Sequence, residues 1–120
     1  MSPTETQQTA QPKTVDDFNR QGWALHTEGK QDAAENSFRQ AISMEPKSIE
    51  GYYGLGLVLK AEDRRQDAVQ AFQQVISLLE DGAVDDPSRH AMLRRLSMGH
   101  INQLKDGDWN LEKEIWKKRN

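Results

Sequence analysis

A repeat constrains this chain more than any other feature of its sequence. When residues 15–48 are set above residues 49–82, Phe18 falls on Tyr52, Gly22 on Gly56, and Leu25 on Leu59. Ala34 falls on Ala68, Phe38 on Phe72, and Ala41 on Val75, always at an offset of 34 residues. Self-similarity at such a period marks stacked supersecondary units, none of which can bury its apolar face alone. The matched residues have physical roles. Small side chains at Gly22, Ala34, Gly56 and Ala68 let two antiparallel helices approach closely, and Phe38 and Phe72 fill the space beside those contacts. Pro46 stops the first unit because it cannot continue a helix. Each unit therefore reads as helix, short turn, helix, with turns at Gly29-Lys30 and Asp63-Arg64.

The pattern resembles the tetratricopeptide repeat, whose 34 residues carry aromatic, Leu, Gly, Tyr, Ala, aromatic, Ala and Pro at fixed places. Phe18, Gly22, Ala34, Phe38, Ala41 and Pro46 match in the first unit, with Gln21 at the usual Leu and Leu25 at the usual Tyr. Tyr52, Leu55, Gly56, Ala68 and Phe72 match in the second, with Glu80 at the terminal Pro. The resemblance implies an all-α fold, an α-solenoid of antiparallel helical hairpins. Two units are clear, at about 15–48 and 49–82, and a degenerate third spans about 88–119.

That third unit follows a turn-rich insertion, Asp81 to Pro87, in which Asp86 is placed to cap a helix with Pro87 in its first turn. The helix is expected over about 88–104, with Met92, Leu93, Leu96, Ile101 and Leu104 as an irregular apolar stripe. Lys105 to Trp109 resembles the family's inter-helix turn. Aligning on that turn puts His100 and Glu112 where the other units carry Gly and Ala. Leu111, Ile115 and Trp116 mark a closing helix that would cap the array with a polar face. Residues 1–13 hold no large aliphatic or aromatic side chain after Met1 and read as a disordered tail, leaving a domain over 14–120.

Composition removes several classes of function. With no cysteine, disulfides, thiolate metal sites and a cysteine nucleophile are excluded. His26, His90 and His100 have no metal-binding spacing. Gly51, Gly54 and Gly56 lie within a helical pattern and lack the Lys-Ser/Thr of a phosphate loop. Asp85-Asp86 and the Asp106/Asp108 pair read as solvated turn residues. No catalytic constellation, cofactor site or metal site is expected, and the chain reads as a non-enzyme. No apolar stretch is long enough to cross a membrane. The N-terminus has neither a basic nor an apolar leader region, so a cytoplasmic location is the expectation.

Family members use the groove built from the first helix of each unit. By alignment the residues facing it are Asp16, Asn19, Trp23 and His26, then Glu50, Tyr53, Leu57 and Lys60, then Arg94, Ser97, Ile101 and Leu104. The resemblance thus implies an adaptor, scaffold or assembly factor that holds a peptide or helix of a partner against Asn19, Trp23, His26, Tyr53, Leu57, Lys60, Arg94 and Ile101. The chaperone-binding clamp of some members is absent: its places hold Asn19, Trp23, Gly54, Arg94 and Met98, of which only Arg94 is basic. Two other readings stay open. Residues 88–105 carry Arg89, Arg94, Arg95 and Lys105 with no acidic residue, a candidate strip for nucleic acid on a chain of net charge −3. Alternatively, the chain is a structural subunit of a larger complex. The sequence leaves its oligomeric state open.

Overall fold

The computed structural model describes residues 11–106, which form five α-helices and, among those residues, no strand. These are α1 (Val15–Thr27), α2 (Gln31–Met44), α3 (Ile49–Ala61), α4 (Arg65–Glu80) and α5 (Pro87–Asp106). The closing helix expected around Leu111, Ile115 and Trp116 lies outside the described residues, as do residues 1–10 of the expected tail.

The 34-residue period extends to the helix ends. Thr14 and Ser48 stand one period apart, and each hydroxyl accepts the backbone N–H three residues on, from Asp17 and Gly51, both at 3.0 Å. At Thr14 the box is reciprocal, because the Asp17 carboxylate accepts the Thr14 N–H at 3.2 Å. Lys13 N–H donates to the same oxygen at 3.1 Å, and these two backbone bonds hold the Asp17 carboxyl below its usual range. Asp86 caps α5 as its sequence implies, accepting from Ser88 N–H at 3.0 Å.

The hairpin turns repeat in the same way. Gly29 and Asp63 are one period apart and take φ of +80° and +61°, the left-handed conformation that closes a helix C-terminus. Behind them Lys30 N–H bonds Leu25 C=O and Arg64 N–H bonds Leu59 C=O, both at 2.9 Å. Glycine adopts this conformation without strain, and aspartate is among the few other residues that tolerate it.

Packing follows chain order: α1 on α2, α2 on α3, α3 on α4, and α4 on α5, with α1 also touching α3. The centre of the core comes from residues that the repeat aligned, joined by Leu55, Val58, Ala71, Leu78, Leu79 and Leu93. Ala34, Phe38, Ala41, Ala68, Phe72 and Val75 have no exposed surface. Phe38 bridges two units, since a Cβ added at Gly22 or at Gly54 would meet its ring at 2.7 or 2.3 Å.

The structure corrects the register of the third unit. His100 does not take the buried small position that the turn-based alignment gave it. The small buried residues of α5 are Ser97 and Gly99, spaced like Gly54 and Gly56 in α3. The His100 ring lies partly exposed, stacked on Phe72. A nine-residue difference in spacing, 43 in place of 34, brings these small pairs into line. The insertion before Pro87 also makes α5 longer than the other first helices. Its extra N-terminal turn is held where His90 Nε2 donates to Leu79 C=O at 3.2 Å, near the end of α4.

Candidate groove-forming surface

The first helices of the units, α1, α3 and α5, stand side by side. Side chains join α1 to α3 and α3 to α5. Trp23 Nε1–H donates to Glu50 Oε2 at 2.9 Å across the first junction. Tyr53 and Lys60 meet His100 across the second, at 3.2 Å from Oη to Nε2 and 3.0 Å from Nζ to Nδ1. Lys60 also donates to Gln103 Oε1.

Of the eight residues the sequence singled out, six form a partly buried row. Trp23 sits edge-on to Phe38 with ring centroids 5.1 Å apart, and Tyr53 sits edge-on to Phe72 at 5.7 Å. Leu57 and Ile101 pack on the same core cluster while keeping part of their surface exposed. Lys60 completes the row through His100. His26 stands beside Trp23, ring centroids 6.4 Å apart, and donates from Nδ1 to Gln31 Oε1 at 2.8 Å.

Two residues differ from expectation. Asn19 is 2% exposed, so the backbone and side chains around it cover the amide that was expected to face a partner. Its Oδ1 has no hydrogen-bond partner among the described residues. Ser97 and Leu104, assigned to the same surface by alignment, are likewise buried. Arg94 is partly buried, but it does not belong to a basic strip. At 3.6 residues per turn, Arg89 and Arg95 point about 140° and about 100° away from it. Only Lys105 shares its direction, and that residue is several turns further along the helix.

His100 is the residue that alignment missed. It stacks on Phe72 with centroids 4.6 Å apart and rings 12° from parallel. The Lys60 ammonium only donates, so Nδ1 accepts, the proton sits on Nε2, and Nε2–H donates to the Tyr53 hydroxyl oxygen. Burial first, and then the charge of Lys60, push the imidazole down to about 4. Burial also lowers the Lys60 ammonium and raises the Tyr53 phenol. No sequence pattern announces this cluster, because Lys60 and His100 are 40 residues apart and only unit stacking joins them.

The cluster makes stability depend on pH. Folded His100 stays neutral to about pH 4, whereas the unfolded residue takes up its proton near 6.5. Between these values the unfolded chain holds more protons, so stability falls as pH drops from about 6.5 and the loss is complete below about 4. The urea midpoint should therefore fall more steeply over this interval in the wild-type chain than in His100→Gln. Equal slopes for the two chains would contradict the half-buried neutral imidazole.

An acidic group lies elsewhere. Asp32, Glu35 and Glu62 bring one oxygen each within 4.8 Å of one another. Arg64 supplies positive charge there, 2.8 Å from Glu35 and 3.8 Å from Glu62. Burial, with Asp32 and Glu35 close by, holds the Glu62 carboxyl above its usual range. The cluster reads as an ion-pair network joining the two units.

No helix among the described residues is long and apolar enough to cross a membrane. The tetratricopeptide-repeat family model matches residues 18–48 and 49–80, ending the first unit and beginning the second where the 34-residue offset does. No curated protein and no solved structure matches the chain. Two adjacent matched units, together more than half of the 120 residues and folded as consecutive helical hairpins, make this chain a member of the tetratricopeptide-repeat family.

Proposed function

We propose that the chain is an adaptor that holds a peptide or helix of a partner protein along the surface shared by α1, α3 and α5. Repeats of this family generally mediate protein–protein interaction, which gives the class of function. The observation that carries the surface is the row Trp23, Tyr53 and Leu57. These large side chains rest on a core already filled by Phe38, Phe72, Val58 and Leu59, and each keeps a face outside it. Anchored aromatic and aliphatic side chains of this kind supply most of the energy of an interface. The charged residues Asp16, Glu50 and Lys60 form its rim and contribute orientation and on-rate more than affinity. A nucleic-acid reading draws little from α5, where only Arg94 and Lys105 of the four basic residues share a direction.

Trp23→Ala and Tyr53→Ala should each weaken binding by about 1–2 kcal/mol while leaving the helical fold intact. The measurement is calorimetric affinity for the native partner, recovered with a tagged wild-type chain. Undiminished affinity in both variants, with unchanged circular dichroism, would move the binding surface elsewhere.

A further inference from the structure

The row of side chains is not uniform in charge along its length. At the unit-one end Asp16, Arg20, Trp23 and Glu50 line an open pocket of about 240 Å³. The indole N–H holds one Glu50 oxygen at 2.9 Å, which fixes that carboxylate beside the ring although the two residues belong to different units. Neither Glu50 nor Asp16 forms an ion pair among the described residues. Arg20, the cation in the lining, already pairs with Asp17 at 3.6 Å. Two carboxylates, neither of them in an ion pair, thus outnumber the single guanidinium of Arg20 in a pocket with one large aromatic wall.

That combination selects a guest by sign and shape. A cation is attracted by both carboxylates and by the electron-rich face of the indole, and the alkyl stem of a basic side chain can lie along the ring. A carboxylate or phosphate would be repelled by the same groups. We propose that this pocket receives a Lys or Arg side chain of the partner, placed next to an apolar residue seated on Tyr53 and Leu57. The inference rests on the groove reading above and adds the chemistry that the partner must present. At the other end of the row the charge has the opposite sign, through Lys60. A bound segment therefore has one favoured direction.

The test is selection from a random-peptide display library with three forms of the full chain: wild type, Asp16→Asn with Glu50→Gln, and Glu50→Lys. Asp16 and Glu50 are exposed, and the amide oxygen that Glu50→Gln introduces can still accept the indole N–H. The double variant therefore removes charge without removing the hydrogen bond. Circular dichroism checks that all three forms stay folded. The wild type should enrich peptides with Lys or Arg at a constant distance from an apolar residue. The double variant should lose that preference and bind the best wild-type peptide roughly tenfold more weakly. Glu50→Lys should enrich Asp or Glu at the same place. Wild-type peptides with no basic preference, or a preference that survives in the double variant, overturn the cation pocket alone. If the wild type enriches no peptide whose binding depends on Tyr53 and Leu57, both the pocket and the groove reading fall.

Discussion

Phe72→Ala should lower the stability of the chain by about 3–5 kcal/mol, the cost of emptying a fully enclosed aromatic site. The ring has no exposed surface, lies 5.7 Å edge-on from Tyr53 and stacks at 4.6 Å on His100. A Cβ added at Gly56 would stand 2.8 Å from the ring, so the α3 backbone already rests against it. Truncation leaves a cavity between α3, α4 and α5 that the helices cannot close without shearing the hairpin, and it also removes both aromatic contacts. A domain of this size has about 5–15 kcal/mol in total, so the variant would sit close to its unfolding midpoint at moderate temperature. Urea titration followed by far-ultraviolet circular dichroism measures this directly. A loss under about 1 kcal/mol, well below the range for such truncations, would show that Phe72 does not join the second and third units.

Gly54→Leu should be nearly as damaging, for the opposite reason. A Cβ at residue 54 would lie 2.3 Å from Phe38 Cε1 and 2.4 Å from Cζ. The ring has little room to retreat, because the α1 backbone also presses on it: a Cβ at Gly22 would meet Cζ at 2.7 Å. Leucine raises helix propensity over glycine by somewhat under about 1 kcal/mol. The overpacking should exceed that gain and cost about 3 kcal/mol net, toward the upper end for such insertions. Phe38 identifies the cause. In the double variant Gly54→Leu with Phe38→Ala, the new side chain can enter the space the ring has left. The combined loss should then be clearly smaller than the sum of the single losses. Additive losses would mean that Gly54 matters for some reason other than the ring.

These two sites were legible in the sequence to different degrees. Phe38 and Phe72 stood out because the repeat placed the same large residue at the same place twice, beside small residues at fixed distances. Gly22 and Gly56 stood out for the same reason. Gly54 has no counterpart in the first unit, where Arg20 occupies the place, so alignment passed over it. The packing explains the asymmetry. Residue 54 presses on the Phe38 of the unit before it, and the first unit has no such predecessor among the described residues.

The candidate surface divides in the same way. Trp23, Tyr53, Leu57 and Lys60, placed by counting along units that keep strict register, are all partly buried. Asn19, assigned by the same count, is buried. In the third unit the count, anchored on the turn at Lys105 to Trp109, runs one residue out of step with the packing of α5, so Ser97 and Leu104 are buried. His100 consequently falls beside Phe72, Tyr53 and Lys60, and Ser97 and Gly99 take the buried small positions.

By itself, the sequence determined the hairpin repeat, its 34-residue period, the buried Phe and Ala positions, and the cap at Asp86. All of these depend on contacts within a unit or on spacing that recurs, and local chain geometry is enough to fix them. Only the tertiary structure decided the pairing of Trp23 with Glu50, the neutral His100 between Lys60 and Tyr53, and the burial of Asn19. Each depends on how far one unit rotates and slides against the next. That displacement is set by the summed packing of whole helix faces, which no pair of residues in the sequence encodes.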